Sequence, residues 1–368
     1  MKRLLVISDC VRSSGVTEVI FRIFSRFPKD QYHIDMVGYG EDHTGYSEKQ
    51  CKKYGWQLNR VIPVTQNPIR HWHWWKEWFK NHQYDIAYFN YSSSWNYLPI
   101  VYASKYGHVR KIVCHSHNSY YSHKFSNKLL MFMLNSLNKH GRKVINHYVS
   151  VRIATSAKAA RWMFGNEANN AVISINGVDI SKFIFNASKR ALLRKQLGLS
   201  NSTYLIGFVG ALQSRKNPQF AIQVFDKFHK KHPNSKMIIV GNGPLEASLK
   251  KQISNLKLDN DIFFQRYLSN INEWYSAMDA LLFTSRYEGV SLVALESQIS
   301  NLQILASDKN DNVIFSGNTI KKMTDMDVIS WSTSLERILS RDIDRSIFQP
   351  NLEKFSIVHQ SQDIEKLL

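Results

Sequence analysis

Short apolar runs alternate with longer amphipathic stretches along most of the chain, the pattern of a parallel α/β architecture. KRLLVIS, YHIDMVG, YDIAYFN, KIVCHSH, VRIATSA and AVISING read as strands of a first half, and TYLIGFVGAL, KMIIVGNG, DIFFQRY, DALLFTS and LQILASD as strands of a second. Between them, NPQFAIQVFDKFHKKHP and EASLKKQISNLKL carry helical periodicity. The pattern predicts two doubly wound domains facing a central cleft. The first spans residues 1–180 and the second residues 181–352, joined near residues 175–186, and a C-terminal helix over 353–368 returns toward the first domain.

In open parallel sheets, ligands gather outside the carboxyl ends of the strands. Three such segments stand out in the second half: GALQSRKN at 210–217, GNGP at 241–244 and SRYE at 285–288. The last opens SRYEGVSLVALES, which holds Glu288 and Glu296 in an otherwise small or apolar frame. One interpretation is ordinary, with Ser285 and Glu288 spaced as a capping box and Glu296 on an exposed helix face. The other places a helix start near Ser291, whose free N–H groups and positive dipole end suit a diphosphate. Glu296, one turn in, then accepts from a ribose cis-diol, and Glu288 reaches the hydroxyls of a sugar beyond the phosphates.

Composition narrows the class. A chain of 368 residues with 43% hydrophobic and 12% aromatic residues can bury a large core, and its length fits two domains. No run approaches the roughly 18 apolar residues of a membrane span, and the apolar start Leu4 to Ile7 is too short for a signal-peptide core. Cys10, Cys51 and Cys114 are odd in number and lack CxxC spacing, so neither a disulfide framework nor a zinc site is indicated, and the expected compartment is the cytoplasm.

The net charge of +19 is unevenly placed. Residues 1–200 carry 29 Lys and Arg against 11 Asp and Glu, whereas residues 201–368 carry 19 against 18. No acid occurs in residues 86–166, which hold 11 Lys or Arg. Such a face attracts a polyanion: nucleic acid, an anionic membrane surface or a phosphorylated substrate.

The ordered motifs resemble the retaining glycosyltransferases of the GT-B fold, family 4, over nearly the whole chain. EGVSLVALE is similar to that family's E-x7-E motif, FTSRY to its F-P-S-x-x and GALQSRKN to its G-R-x-x-x-x-K-N phosphate loop. NGVD at 176–179 is similar to its linker, HSHN at 115–118 to its acceptor-domain strand end, and Ser14-Gly15 to its first glycine loop. The chain looks most like members that build capsular or exopolysaccharide repeat units on a lipid carrier. The resemblance implies transfer of a hexose from a nucleotide-diphosphate sugar to a lipid-diphosphate-linked saccharide. It implies that Glu296 binds ribose, Glu288 orients the donor sugar, Lys216 neutralises the diphosphate and His117 sits near the anomeric centre. Gly210, Arg215, Asn217, Gly241, Gly289, Val290, Ser291 and Leu292 complete the expected donor site, and Ser14, Gly15, His115 and Asn118 the acceptor side. No metal or other cofactor is expected. With no obvious nucleophile on the opposite sugar face, a front-side mechanism fits better than a covalent intermediate.

Three departures from the family pattern bear on activity. The phosphate-loop arginine is Ala211, the common Phe-x-Gly is Phe263-Phe264-Gln265, and the Ser/Asn-Gly-x-Pro after the motif helix is Ser300-Asn301-Leu302-Gln303. Losing an arginine at a diphosphate costs roughly 1.5–3 kcal/mol, which Arg215 is placed to offset. The alternative is a noncatalytic GT-B subunit supporting a partner glycosyltransferase.

Other motifs are weaker. Asp325-Met326-Asp327 and Asp342-Ile343-Asp344 match a short metal-binding DxD but fall outside a suitable strand end. In HWHWWKEWF, Trp72, Trp75 and Trp78-Phe79 recur at helical spacing, which favours packing or an interface over a metal site at His71 and His73. SYYSHKFSNK interleaves aromatic and basic residues, a single-strand nucleic-acid pattern, but no helix-turn-helix or finger accompanies it, so no nucleic acid is expected. KLLMFMLNSLNKHGRK, residues 128–143, reads either as an interfacial helix or as a core helix with a basic end. As an interfacial helix it makes Lys124, Phe125, Lys128, Phe132, Lys139, Arg142 and Lys143 a patch that docks the protein peripherally on the inner face of the plasma membrane.

Overall fold

A computed structural model describes residues 1–12, 14–121, 128–288, 290–309 and 319–368. The chain divides into two compact units, Met1–Gly177 with Ile357–Leu368, and Val178–Ser356.

The first unit is built on a parallel sheet of seven strands: β1 (Lys2–Ser8), β2 (Tyr32–Tyr39), β3 (Gln57–Val61), β4 (Ile86–Tyr91), β5 (Lys111–Ser116), β6 (Val151–Ala154) and β7 (Val172–Ile173). Their order is β3-β2-β1-β4-β5-β6-β7, so the winding reverses between β1 and β4. The central strands are continuous apolar runs because both faces are covered. Of the run at 171–177, only Val172 and Ile173 pair, with β6.

Helix Pro68–Asn81 shows how local sequence sets an element. Asn67 accepts the Arg70 N–H at 3.0 Å and Pro68 occupies the first turn. His71, Trp75 and Phe79, four apart, form the buried face, each aromatic contributing about 1.5–3 kcal/mol by burial. Trp72 and Trp78 are only partly buried, so the tryptophan spacing did not mark the inner stripe. His71 is a core histidine, bonded through Nδ1 to the Ile62 carbonyl (2.7 Å) and through Nε2 to Asn96 (3.1 Å). Helix Ile357–Leu367 packs on helix Gly15–Phe24, where the Ser361 hydroxyl donates to the Ile23 carbonyl at 2.8 Å.

The second unit carries a parallel six-stranded sheet of β8 (Tyr204–Val209), β9 (Ser235–Val240), β10 (Ile262–Gln265), β11 (Ala280–Phe283), β12 (Gln303–Ser307) and β13 (Ile320–Met323). The order is β10-β9-β8-β11-β12-β13, reversing between β8 and β11. After helix Leu292–Ile299, where the resembled family has glycine, Asn301 adopts a left-handed φ of 48°. Asparagine is among the few non-glycine residues that enter that region, and this one is held there by partners more than 40 positions away. Here Nδ2 donates to the carbonyls of Arg345 (3.1 Å) and Ile347 (2.5 Å), and Oδ1 accepts from Gln349 (2.5 Å).

Both DxD matches have structural work. Asp327 caps helix Val328–Leu339 by accepting the Ser330 N–H at 2.7 Å, and Asp344 caps the turn at Ser346.

Candidate active site

In a parallel sheet every strand delivers its following loop to one edge, and the reversal of winding opens a crevice there. In the second unit that crevice lies between the ends of β8 and β11. The loop after β8 is held from three sides: Gly210 N–H donates to the Val240 carbonyl (2.9 Å), Leu212 N–H to Asn242 (2.8 Å) and Arg286 N–H to the Arg215 carbonyl (2.8 Å). Gly241 and Gly243 are required by this packing. A Cβ on the first would stand 1.9 Å from the Gly210 carbonyl oxygen, and one on the second 2.6 Å from that of Leu212. Asn217 takes a left-handed φ of 55° and starts helix Pro218–His229.

This framework brings Arg215, Lys216 and Glu288 together. The Glu288 carboxylate accepts from Lys216 Nζ at 2.7 Å and from Arg215 Nη1. The Lys216 and Glu288 side chains are nearly enclosed, at 10% and 8% exposure. Burial lowers the Lys216 pKa, and Glu288 opposes that shift. Two cations against one carboxylate leave a net positive site, suited to a polyanion. Arg215 thus shares its carboxylate partner with Lys216.

Thr284, which the sequence did not single out, fixes the loop: its hydroxyl lies 3.0 Å from the carbonyls of both Lys216 and Asn217. Its position directly after β11 was the available signal. Ser291 precedes helix Leu292–Ile299 in extended conformation, Val290 is buried beside it, and Gly289 lies outside the described residues. Glu296 is on this helix, only 5% exposed, with the Tyr275 hydroxyl 3.3 Å from Oε2.

In the first unit, the ends of β1, β4 and β5 enclose a cavity of about 190 Å³ lined by Asp9, Val16, Tyr39, Asn90, Tyr91 and His117, among others. Asn90 fixes the chemistry of His117. Its Nδ2 donates to the Ile7 carbonyl (2.9 Å), so its Oδ1 must accept from His117 Nε2 (2.9 Å), which puts the imidazole proton on Nε2. Burial pushes the His117 pKa down to about 3, so the ring is neutral. His115 belongs instead to the core, fully buried and bonded through Nδ1 to the Tyr88 hydroxyl at 2.8 Å. Ser14 and Gly15 open helix Gly15–Phe24, and neither they nor Asn118 line the cavity, which Val16 does. Asp9 was missed by sequence although it follows β1. Its carboxylate accepts from Thr17 Oγ1 (2.9 Å) and Ser8 Oγ (3.1 Å).

Helix Lys128–Tyr148 is anchored by Asn138, Gly141 and Ile145, while Leu129, Phe132, Met133 and Leu137 are exposed, Phe132 by 69%. Lys128, Lys139 and Lys143 are exposed on it. Arg142 is half-buried and lies over the Trp162 ring at 5.3 Å. Lys124 and Phe125 lie outside the described residues.

Two Rossmann-like units with ligand-ready strand ends at both switch points define the GT-B architecture. Residues 189–314 match the family described as glycosyl transferases group 1. The chain is 22% identical over 347 residues to the putative glycosyltransferase EpsF of Bacillus subtilis (strain 168), covering 91% of this chain and 87% of that protein. It is 30% identical over 140 residues to the Escherichia coli UDP-Gal:alpha-D-GlcNAc-diphosphoundecaprenol alpha-1,3-galactosyltransferase, 37% of this chain and 36% of that one. Among solved structures, Anabaena Alr3699/HepE in complex with UDP and glucose superposes with a TM-score of 0.79 at 16% identity, covering 100% and 99% of the two chains. WaaG, a glycosyltransferase involved in lipopolysaccharide biosynthesis, gives 0.69 at 14% identity over 99% and 95%. These likenesses establish the fold, and with the matched domain they support a GT-B glycosyltransferase.

Proposed function

We propose that the protein is a retaining family 4 glycosyltransferase that moves a hexose from a nucleotide-diphosphate sugar to a lipid-linked saccharide in surface polysaccharide assembly. The observation that carries this is the Arg215–Lys216–Glu288 cluster at the β8/β11 switch point. An incoming diphosphate takes over the hydrogen bonds of the two cations, which frees Glu288 to accept from hydroxyls of the donor sugar. Glu296 holds the ribose. In a front-side reaction the acceptor oxygen bonds the anomeric carbon on the face from which the diphosphate departs, the carbon–phosphate-oxygen bond breaks, and the acceptor proton passes to the departing phosphate. The two cations neutralise that leaving group, so transfer is expected to persist in EDTA. A neutral His117 beside the acceptor cavity serves as a positioning group. The name of the Escherichia coli relative, which prints a diphosphoundecaprenol-linked sugar, favours a lipid-linked acceptor, and the exposed apolar turns of helix Lys128–Tyr148 with Lys128, Lys139 and Lys143 favour peripheral docking on an anionic bilayer.

The test is a thermal-shift screen against nucleotide sugars, followed by transfer and by NMR assignment of the new anomeric configuration. A nucleotide sugar at 100 times its dissociation constant stabilises by about 2.7 kcal/mol. Binding of none, with no transfer, overturns the proposal in favour of a noncatalytic subunit. Inversion of configuration overturns the retaining mechanism alone.

A further inference from the structure

An apolar depression on the first unit has no place in the chemistry above. It holds about 630 Å³ and runs along the outer side of helix Pro68–Asn81, floored by Trp74 and Trp78 and flanked by Ile62 and Ile69. Trp74 stacks on Trp78 (centroids 4.8 Å, planes 12° apart), and Trp78 stacks on His82 (3.8 Å, 14°). Ile69 is 79% exposed and Ile62 41%. From Arg70 to His82 the floor extends about 18 Å at 1.5 Å per residue.

Two features say what covers it. The groove and the His117 cavity share a wall in sequence, since Ile62 lines the first while Pro63 and Val64 line the second. At the same end of the helix stands Arg70, which lines the groove and has no carboxylate partner among the described residues. From the catalytic cavity outward, the surface thus offers polar groups, then an unneutralised guanidinium, then a long apolar trough. That is the sequence of parts in a saccharide joined through a diphosphate to a hydrocarbon chain.

Building on the lipid-linked acceptor proposed above, we infer that the groove of helix Pro68–Asn81 binds the polyisoprenoid chain of the acceptor, with Arg70 facing its diphosphate. A second copy of this chain fits the groove less well, because the one carboxylate lining it, Glu77, is already paired with Lys80 at 2.8 Å and leaves Arg70 no free anion to meet. Burial of each added methylene favours binding in proportion to the apolar area removed from water, so the groove discriminates by chain length.

The test measures binding of farnesyl diphosphate and of inorganic diphosphate to the full chain, with saturating UDP present to occupy the donor site. Farnesyl diphosphate is expected to bind at least tenfold tighter than inorganic diphosphate. Ile69→Glu, at an exposed position, is expected to remove that advantage, and Arg70→Glu to weaken farnesyl diphosphate at least fivefold. Neither variant should alter UDP affinity. Equal binding of the two ligands, or farnesyl diphosphate affinity unchanged in Ile69→Glu, overturns the inference. Self-association that disappears in Ile69→Glu while farnesyl diphosphate affinity stays constant also overturns it and assigns the face to a dimer. The two proposals fail separately: nucleotide-sugar binding and sugar transfer to a tail-less acceptor with no farnesyl binding sinks the groove alone, whereas binding of no nucleotide sugar, with no transfer, sinks the glycosyltransferase assignment.

Discussion

Glu288→Gln keeps the size of the side chain and removes the charge that Arg215 and Lys216 share. In the ligand-free protein this leaves a lysine ammonium buried beside an arginine with no anion between them. Removing one partner of a buried ion pair costs about 3–5 kcal/mol. Arg215 is 29% exposed and can turn to solvent, so the low end, about 3 kcal/mol, applies. For the 178–356 unit, at about 2–4 °C per kcal/mol, the melting transition of that unit should fall by about 6–12 °C. The affinity for free nucleotide diphosphate should move the other way. The wild-type protein must break charge-assisted bonds worth about 1.5–3 kcal/mol each before the cations can serve the ligand, and the variant has already lost them. Recovery of even one such bond tightens UDP at least tenfold. Transfer should nevertheless drop, because the sugar loses its orienting carboxylate. Calorimetry with and without UDP, titration of UDP, and turnover give the three readouts. A variant that melts with the wild type and binds UDP no more tightly would refute the claim that Glu288 holds the two cations in balance.

Further outcomes are expected elsewhere. Lys216→Ala should abolish transfer and Arg215→Ala reduce it measurably, whereas Ala211→Arg should tighten UDP-sugar binding in a direct titration. Charge reversal at Lys128, Lys139 and Lys143 should release the protein from anionic vesicles with donor affinity unchanged, each lysine being worth about 1 kcal/mol at the surface, and salt-independent binding in a sedimentation assay would count against it. His117 is held neutral in the fold while its unfolded counterpart titrates near pH 6.5, so its stabilising contribution is complete above about pH 6.5 and is lost as pH falls toward 3. The slope approaches 1.4 kcal/mol per pH unit, and denaturant titrations of His117→Gln between pH 7 and 4 should show a shallower decline than wild type.

The buried strands were plain in the sequence because parallel sheets covered on both faces need unbroken apolar runs, as in YLIGFV and ALLF. Edge strands β3 and β13 escaped notice for the same reason. QLNRV and IKKM pair on one side only and keep polar residues toward solvent, so nothing in their pattern separates them from loops. The strand-end rule located the loops of both sites. It could not tell His115 from His117, which lie two apart and so project to the same side, because only the neighbours Tyr88 and Asn90 make one a core group and the other a cavity wall. Nor could it show that Glu288 meets Arg215 and Lys216, more than 70 positions away. Such a contact depends on adjacency of β8 and β11, which strand order supplies and linear sequence does not.

The chain leaves the first unit at Gly177 and re-enters it at Ile357, and both crossings are stitched. Val178 N–H donates to the Phe355 carbonyl at 2.8 Å, and Gly177 N–H to Gln360 Oε1 at 2.7 Å. The entry and exit of the 178–356 unit therefore stand side by side, so that unit is an insertion with its two ends already closed on each other. The first unit is made of two pieces distant in synthesis. It can complete its fold only after the whole inserted unit has been made and helix Ile357–Leu367 has arrived, so damage confined to those last residues is felt by the half of the molecule translated first.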